Sequence, residues 1–354
     1  LVIHEYSHGI QARAHGMRLR SFGLLLVGPV PIGAFAEPEE SEMDRAPRRD
    51  RMRLFAAGPS INILATYVVL ILLSSIASGM AAEHDGVHAR SIVAGGPAEQ
   101  SGLSPFETVT HIQGQEVIDY DGFTELMRDL SSGDTVSLTV LSSPTSGDSR
   151  EERFVDVTLG DRYQYYIDQC DGDAGCIDEV VKILEILEIQ QGDAFLGVAD
   201  LRSSTGAVEG YANIVEGKYT IGGTVLFTLL EPLVMLGEPI QNDGHTMILQ
   251  EREMLVAGDG FFASILGTEG ILMLFDFLFW LVWINFLLGF ANLIPMIPFD
   301  GGHLVRDGVH SVLRFLKRNT HPMRIEELAN RISSLSSIFI LVILALPVII
   351  PRLF

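Results

Sequence analysis

The 354-residue sequence has few basic residues and few cysteines, and it contains long stretches without any charge. Its 24 lysines and arginines stand against 45 aspartates and glutamates, which gives a formal net charge of −21. This balance excludes a chain that binds nucleic acid through a basic surface. The two cysteines allow at most one disulfide bond within the chain. The uncharged stretches, in a chain that is 47% hydrophobic, are typical of a membrane protein.

The charges divide the chain into two kinds of sequence. Residues 81–260 contain 32 of the acidic residues and nine of the basic ones, a net charge of −23. The remaining segments carry 15 basic and 13 acidic residues and are close to neutral. We therefore predict an acidic, soluble insert between apolar flanks. An acidic surface stays hydrated in concentrated salt, so this composition is compatible with a halophilic source.

Three stretches are predicted to cross a membrane as helices. Residues 54–82 contain no charged side chain and are long enough for a bilayer core of about 30 Å. Residues 270–299 carry Asp276 as their single charge, and residues 332–350 form the third stretch. A fourth apolar stretch, 219–240, is interrupted by a glutamate and a proline, so we predict an amphipathic helix at the membrane interface there.

Clusters of basic residues predict the orientation. Five arginines lie within residues 45–53, and six lysines and arginines lie within residues 306–331. The positive-inside rule makes both loops cytoplasmic, so the acidic insert lies outside the cell membrane and the protein crosses it several times. The first residues are too few to cross a bilayer, and we expect the chain to begin inside a membrane helix that starts upstream.

Cys170 and Cys176 flank a short acidic loop of the insert. In an oxidising compartment they can form a disulfide bond across this loop. Asp171 and Asp173 offer a small calcium site as an alternative, although the other ligands of an EF-hand loop are missing. Two free thiols are the third alternative.

Residues 4–8, His-Glu-Tyr-Ser-His, form an H-E-x-x-H motif. Residues four apart lie on one face of a helix, so His4 and His8 can bind the same zinc ion. Glu5 can then reach a water at the remaining coordination position and take its proton. A coincidental helix face with two surface histidines is the alternative interpretation.

A catalytic zinc site needs three protein ligands, and Asp300 is the predicted third ligand. It follows the 270–299 span, after two prolines and before two glycines. The predicted orientation brings Asp300 to the cytoplasmic side of the membrane, where His4 and His8 also lie. An ordinary Pro-x-Asp-Gly turn is the alternative.

Residues 21–36 contain five glycines and prolines, which do not fit a spanning helix and predict an irregular or hairpin segment at membrane depth.

Together these motifs resemble the site-2 protease family of intramembrane zinc metalloproteases. The family pattern combines an H-E-x-x-H helix, a G-x-x-x-N helix and a distant N-x-x-P-x-x-x-x-D-G motif. This chain carries all three, at residues 4–8, 58–62 and 292–301. The resemblance implies a polytopic α-helical membrane protease with one zinc ion per chain. Its substrates would be transmembrane proteins, cut within the lipid bilayer in or near their membrane-spanning segments.

The resemblance also implies roles for single residues. The zinc ligands would be His4, His8 and Asp300, and Glu5 would be the catalytic base. Residues 21–36 would pair with an extended strand of the substrate.

Asn62 and Asn292 would face the metal and hold the substrate or its oxyanion. Helix packing is the alternative role for both amides.

Two other functions are considered. A prenyl-protein endopeptidase would take a glutamate as third ligand, for which Glu231 and Glu269 are the candidates. A membrane adaptor with an inactive site would use the insert to recruit partners.

The insert resembles a PDZ domain. Residues 91–103 resemble its strand, turn and short helix, residues 112–117 the next hairpin, and residues 132–140 a later strand. An acidic insertion at about 141–192 separates these from residues 195–198, where the strand pattern resumes. The insert is expected to bind peptides or, alternatively, to act as a scaffold or steric filter.

These patterns predict an α-helical membrane protein with an inserted α+β domain. The predicted segments are the first part of the membrane protease core at 1–82, the PDZ-like extracytoplasmic domain at 83–218, an amphipathic connector at 219–260, and the second part of the core at 261–354.

Overall fold

A computed structural model describes residues 1–144, 149–218, 220–317 and 319–353. The chain forms two compact units. The first consists of Leu1–Leu72, Thr228–Leu236 and Leu278–Phe354, and the second of Leu73–Phe227 and Gly237–Phe277.

The described chain contains both helices and strands. The helices are α1 (Val2–Ala14), α2 (Glu40–Arg45), α3 (Arg48–Ala77), α4 (Pro97–Gln100), α5 (Tyr120–Arg128), α6 (Arg162–Asp168), α7 (Ala174–Ile186), α8 (Gly206–Glu216), α9 (Ile221–Met235), α10 (Glu238–Gln241), α11 (Leu249–Glu253), α12 (Phe261–Leu293), α13 (Asp300–Leu316) and α14 (Pro322–Leu353). The strands are β1 (Leu19–Val27), β2 (Val30–Pro38), β3 (Met80–Ala82), β4 (Val87–Ile92), β5 (Thr108–Ile112), β6 (Gln115–Glu116), β7 (Thr135–Leu141), β8 (Glu152–Thr158), β9 (Gly160–Asp161), β10 (Ala194–Phe195), β11 (Val198–Ser203) and β12 (Leu255–Ala257).

The first unit begins with α1, against which an antiparallel hairpin of β1 and β2 packs. This hairpin contains the glycine- and proline-rich segment 21–36. The sequence predicts either an irregular segment or a hairpin there, and the structure has the hairpin. Val27 pairs with Val30 at its tip. The side chains near the tip are apolar and exposed: Leu24, Leu25, Leu26, Val27 and Val30.

Two described helices, α3 and α12, are long and apolar enough to cross a membrane. Helix α3 contains the predicted span 54–82 as far as Ala77. Helix α12 contains most of the predicted span 270–299 and bends at Gly267, where φ is 64°. The third predicted span, 332–350, lies within α14, and several of its side chains fall outside the described part of the chain, so it stays a prediction.

The second unit contains a six-stranded antiparallel sheet in the order β11-β4-β5-β7-β8, with β6 paired to β5. Alternate residues of β7 and β8 point into its hydrophobic core, as expected for a sheet with one buried face. The predicted hairpin at 112–117 contains the turn between β5 and β6, and the predicted later strand at 132–140 overlaps β7. The predicted strand, turn and short helix at 91–103 contain α4 but share only residues 91 and 92 with β4, which begins at Val87. The core residues of β7 and β8 are Val136, Leu138, Val140, Val155 and Val157.

Cys170 and Cys176 form a disulfide bond, which is the first of the three alternatives for the acidic loop. The carboxylate of Asp173 accepts hydrogen bonds from the main-chain N–H groups of Gly175 and Cys176, at 2.7 and 3.2 Å. Asp173 therefore caps the N-terminus of α7, a role that needs no calcium ion.

Candidate metal centre

Helix α1 presents both histidines of the H-E-x-x-H motif on its buried face. His4 and His8 are 5% and 8% exposed, and their Nε2 atoms lie 3.2 Å apart. The four-residue spacing places the two rings on the same side of the helix. The rings meet edge to face with centroids 4.8 Å apart.

Asp300 joins the histidines from the first residue of α13. Its Oδ2 atom lies 3.3 Å from Nε2 of His4 and 3.2 Å from Nε2 of His8. Gly301 and Gly302 follow in the first turn of the helix, and a Cβ atom on either would collide with the main chain before Asp300. The two glycines therefore allow the first turn of α13 to pack closely against that main chain.

The three candidate ligand atoms have the spacing of a tetrahedral zinc site. Zinc bonds of about 2.0–2.1 Å require neighbouring ligand atoms about 3.3–3.4 Å apart. The separations among His4, His8 and Asp300 are 3.2, 3.2 and 3.3 Å. Within the described residues, these three side chains are the group of histidines and carboxylates that could hold a metal ion.

One face of α3 supports this site through residues spaced four apart. Nδ1 of His8 donates a hydrogen bond to the Leu54 carbonyl at 2.7 Å, so the lone pair on Nε2 is free for a metal. A Cβ atom at Gly58 would lie 2.5 Å from Nε2 of His4 and closer still to Nε2 of His8. Asn62 follows, with its Nδ2 3.2 Å from Nδ1 of His4. The space in front of the two histidines therefore depends on the absence of a side chain at residue 58.

A cavity of about 250 Å³ reaches the three ligands. Glu5 lines it from α1, and its Oε2 accepts a hydrogen bond from the main-chain N–H of Ala36 in β2 at 2.9 Å. The hairpin therefore borders the cavity and holds the glutamate beside the ligands. The cavity is lined by His4, Glu5, His8, Ala36, Pro38, Met43, Leu54, Phe55, Asn292, Pro298 and Asp300.

The two asparagines that sequence analysis assigned to the site occupy different places. Asn292 lines the cavity, and its Nδ2 donates to the Leu288 carbonyl one turn earlier at 3.0 Å. Asn62 is completely buried and contacts the far side of the His4 ring, so it does not face the cavity as the expectation required.

The glutamates considered as alternative third ligands lie elsewhere. Glu269 lines a different cavity, which belongs to the second unit. Glu231 lies on α9 and is not part of the described metal-binding group.

A buried ion pair between Arg51 of α3 and Asp307 of α13 was missed by sequence analysis. Nε of Arg51 donates to Oδ2 of Asp307 at 3.0 Å, and Nη2 donates to Oδ1. Asp307 is 4% exposed. Because Asp300 begins α13, this pair helps to hold the candidate ligand Asp300 against α3. No local pattern links two charges that are 256 positions apart.

We expect Asp307→Ala to destabilise the protein by about 3–5 kcal/mol, because it leaves the mostly buried guanidinium of Arg51 without its carboxylate partner. Thermal unfolding in detergent measures the change. The matched control is Glu327→Ala, which breaks the exposed pair with Arg331 and should cost less than about 1 kcal/mol. Equal effects of the two substitutions would contradict a structural role for the buried pair.

Two histidines and a carboxylate around a shared position, with a glutamate next to them, match the arrangement expected at the site of a metal-dependent hydrolase. The sequence matches the model of peptidase family M50 over residues 1–341, so the chain belongs to that family. The family is membrane-embedded, in agreement with the two long apolar helices α3 and α12.

Single proteins related to this chain share between 24% and 36% of the aligned residues with it. An uncharacterized protein of Methanocaldococcus jannaschii, MJ0971, is 36% identical over 72 residues, 20% of each chain. Zinc metalloprotease RasP of Oceanobacillus iheyensis is 24% identical over 270 residues, 74% of this chain and 51% of RasP. Zinc metalloprotease Rip1 of Mycobacterium tuberculosis is 25% identical over 350 residues, 86% of this chain and 81% of Rip1. This chain thus spans a fifth of the first relative and about half of the second.

Proposed function

We propose that this protein is a zinc-dependent intramembrane endopeptidase that hydrolyses peptide bonds in or near the transmembrane segments of other membrane proteins. The observation that carries the proposal is the position of Asp300, whose carboxylate lies within 3.3 Å of Nε2 of both His4 and His8. Membership of family M50 and the names of RasP and Rip1 support the same activity.

His4, His8 and Asp300 would hold one zinc ion. When bound, zinc acts as a Lewis acid that polarises a carbonyl group and makes a water more acidic. Glu5 accepts the proton of the attacking water and can return it to the leaving amine. The N–H of Ala36 keeps the Glu5 carboxylate pointed at the cavity through a hydrogen bond of 2.9 Å.

Two further elements would handle the substrate. Strand β2 contributes Ala36 and Pro38 to the cavity, so a substrate strand that pairs with the hairpin would run past the ligands. Asn292, which lines the same cavity, would hold the substrate or its oxyanion. A peptide bond within a bilayer is helical and dry, so the enzyme must unwind the substrate and admit water.

We propose that the insert is a PDZ-like extracytoplasmic domain that can bind peptides. Strand β11 lies at the edge of the sheet, where an added strand could pair with it. A cavity of about 480 Å³ beside β11 is lined by the start of α5, by the end of β11 and by α8.

The test of function is cleavage of a model single-span substrate by the full-length protein in lipid vesicles. We expect cleavage that a zinc chelator abolishes and added zinc restores. Cleavage of a prenylated peptide, with the transmembrane substrate left intact, would favour the prenyl-protein endopeptidase. A protein that cleaves neither substrate, even with zinc bound, would favour the adaptor.

The predicted orientation has a separate test. A cysteine introduced at Glu185, an exposed residue of the insert, should react with a membrane-impermeant maleimide from outside the cell. A cysteine at Arg314, exposed on α13, should react only after permeabilisation. The native cysteines are joined in a disulfide and do not interfere. The reverse labelling pattern would invert the topology.

A further inference from the structure

Each metal-site histidine has a different neighbour at its second ring nitrogen. Nδ1 of His8 faces the main-chain carbonyl of Leu54, which can only accept a hydrogen bond. Nδ1 of His4 faces the side-chain amide of Asn62 at 3.2 Å. Asn62 is completely buried, and its Oδ1 has no hydrogen-bond partner within the described chain.

A neutral histidine that binds a metal through Nε2 must carry its proton on Nδ1. The Leu54 carbonyl stabilises this tautomer for His8. For His4, the only acceptor that the Asn62 amide can offer is Oδ1. A half-turn of the amide exchanges Nδ2 and Oδ1 without changing the shape of the side chain. It places the unpaired oxygen at 3.2 Å from Nδ1 of His4, and it moves Nδ2 to the position where Oδ1 has no partner.

We propose that Asn62 is a positioning residue for His4: its carbonyl oxygen accepts the Nδ1–H of His4 and fixes the tautomer in which Nε2 faces the metal. This inference rests on the proposed zinc site. It replaces the expected contact of Asn62 with the substrate oxyanion, which would require the amide to act as a donor facing the cavity. An orienting acceptor behind a metal-bound histidine is a general feature of metal sites.

In this arrangement, one face of α3 contacts both histidines of the site. Leu54, Gly58 and Asn62 are spaced four apart, so they lie in one row on the helix. The first supplies an acceptor for His8, the second leaves room in front of both histidines, and the third supplies an acceptor for His4. One helix thus sets the tautomer and orientation of both histidine ligands.

The test compares Asn62→Asp with Asn62→Leu. Aspartate keeps an acceptor oxygen but has no N–H donor, whereas leucine has a similar volume and neither group. We expect zinc affinity, measured by competition with a chelator, to fall about 10- to 100-fold in Asn62→Leu and to stay within a few-fold of the wild type in Asn62→Asp. Asn285→Leu is the matched control, because Asn285 is also a buried asparagine of a membrane helix, bonded to its own helix at Leu281.

A second readout uses the metal-free protein. Nitrogen NMR of labelled histidines at alkaline pH should show the proton of His4 on Nδ1 in the wild type and in Asn62→Asp, and a shift toward Nε2 in Asn62→Leu. This readout needs no metal, so it tests the inference even if the proposed zinc site is wrong. Unchanged zinc affinity and tautomer in Asn62→Leu would overturn the inference. Loss of turnover in Asn62→Asp with normal zinc affinity would do the same, because it would show that the amide acts as a donor.

Discussion

Replacement of Glu5 by glutamine is expected to leave zinc bound and to reduce turnover by about a hundredfold to ten-thousandfold. Glutamine has nearly the same shape and keeps a carbonyl oxygen that can accept the N–H of Ala36, so the packing of α1 against β2 should persist. It lacks the carboxylate that takes a proton from water. Zinc content and cleavage of one transmembrane substrate should be measured on the same preparation.

Glu37→Gln is the control for this substitution. Glu37 lies in the same hairpin, where its exposed carboxylate bonds to Ser21 and does not line the cavity. We expect normal turnover in that variant. Near-normal turnover of Glu5→Gln would show that Glu5 is not the base. Loss of zinc from Glu5→Gln would place Glu5 among the metal ligands and contradict the proposed mechanism.

Gly58→Ala is expected to remove most of the bound zinc and to lower turnover by at least about a hundredfold, because displacements of about 1 Å have effects of that size. The new Cβ atom would meet both ligand nitrogens, Nε2 of His4 and Nε2 of His8, at 2.5 Å or less. Neither ring can move away without giving up its contact with Asp300. Helices α1 and α3 must therefore separate, or the rings must rotate out of the site.

Gly308→Ala provides the comparison. Gly308 lies within α13, and a Cβ atom there has no other heavy atom within 4 Å. Alanine favours a helix over glycine by about 1 kcal/mol, so this variant should keep its zinc and be no less stable than the wild type. Full zinc occupancy and normal turnover in Gly58→Ala would contradict the close approach of α3 to the ligands.

Sequence alone could predict that His4, His8 and Asp300 lie together, because these residues belong to motifs with recognisable spacing. His4 and His8 are one helical turn apart, and Asp300 follows an apolar span and two prolines. The contacts that orient His8 and Glu5 could not be predicted from the sequence, because they are made by main-chain groups. The acceptor for His8 is the main-chain carbonyl of Leu54, which any residue type would supply. The donor to Glu5 is the main-chain N–H of Ala36, which every residue type except proline would supply.

The helix boundaries show a related limit. An uncharged stretch of sequence indicates which residues can lie in lipid. It does not fix where the helix begins or ends, because a helix can extend beyond the stretch or end before it. Thus α3 begins at Arg48, within the basic loop, and ends at Ala77, before the short strand β3. The role expected for Asn62 was limited in the same way, because the G-x-x-x-N spacing places the amide on the correct face of α3 without telling which atom it contacts.

The central claim is that His4, His8 and Asp300 bind one zinc ion, and elemental analysis of the purified full-length protein tests it most directly. We predict close to one zinc per chain in the wild type, almost none in the His4→Ala/His8→Ala double variant, and reduced occupancy in Asp300→Asn, because a neutral amide is a weaker zinc ligand than a carboxylate. Zinc content that is unchanged in the double variant would contradict the claim.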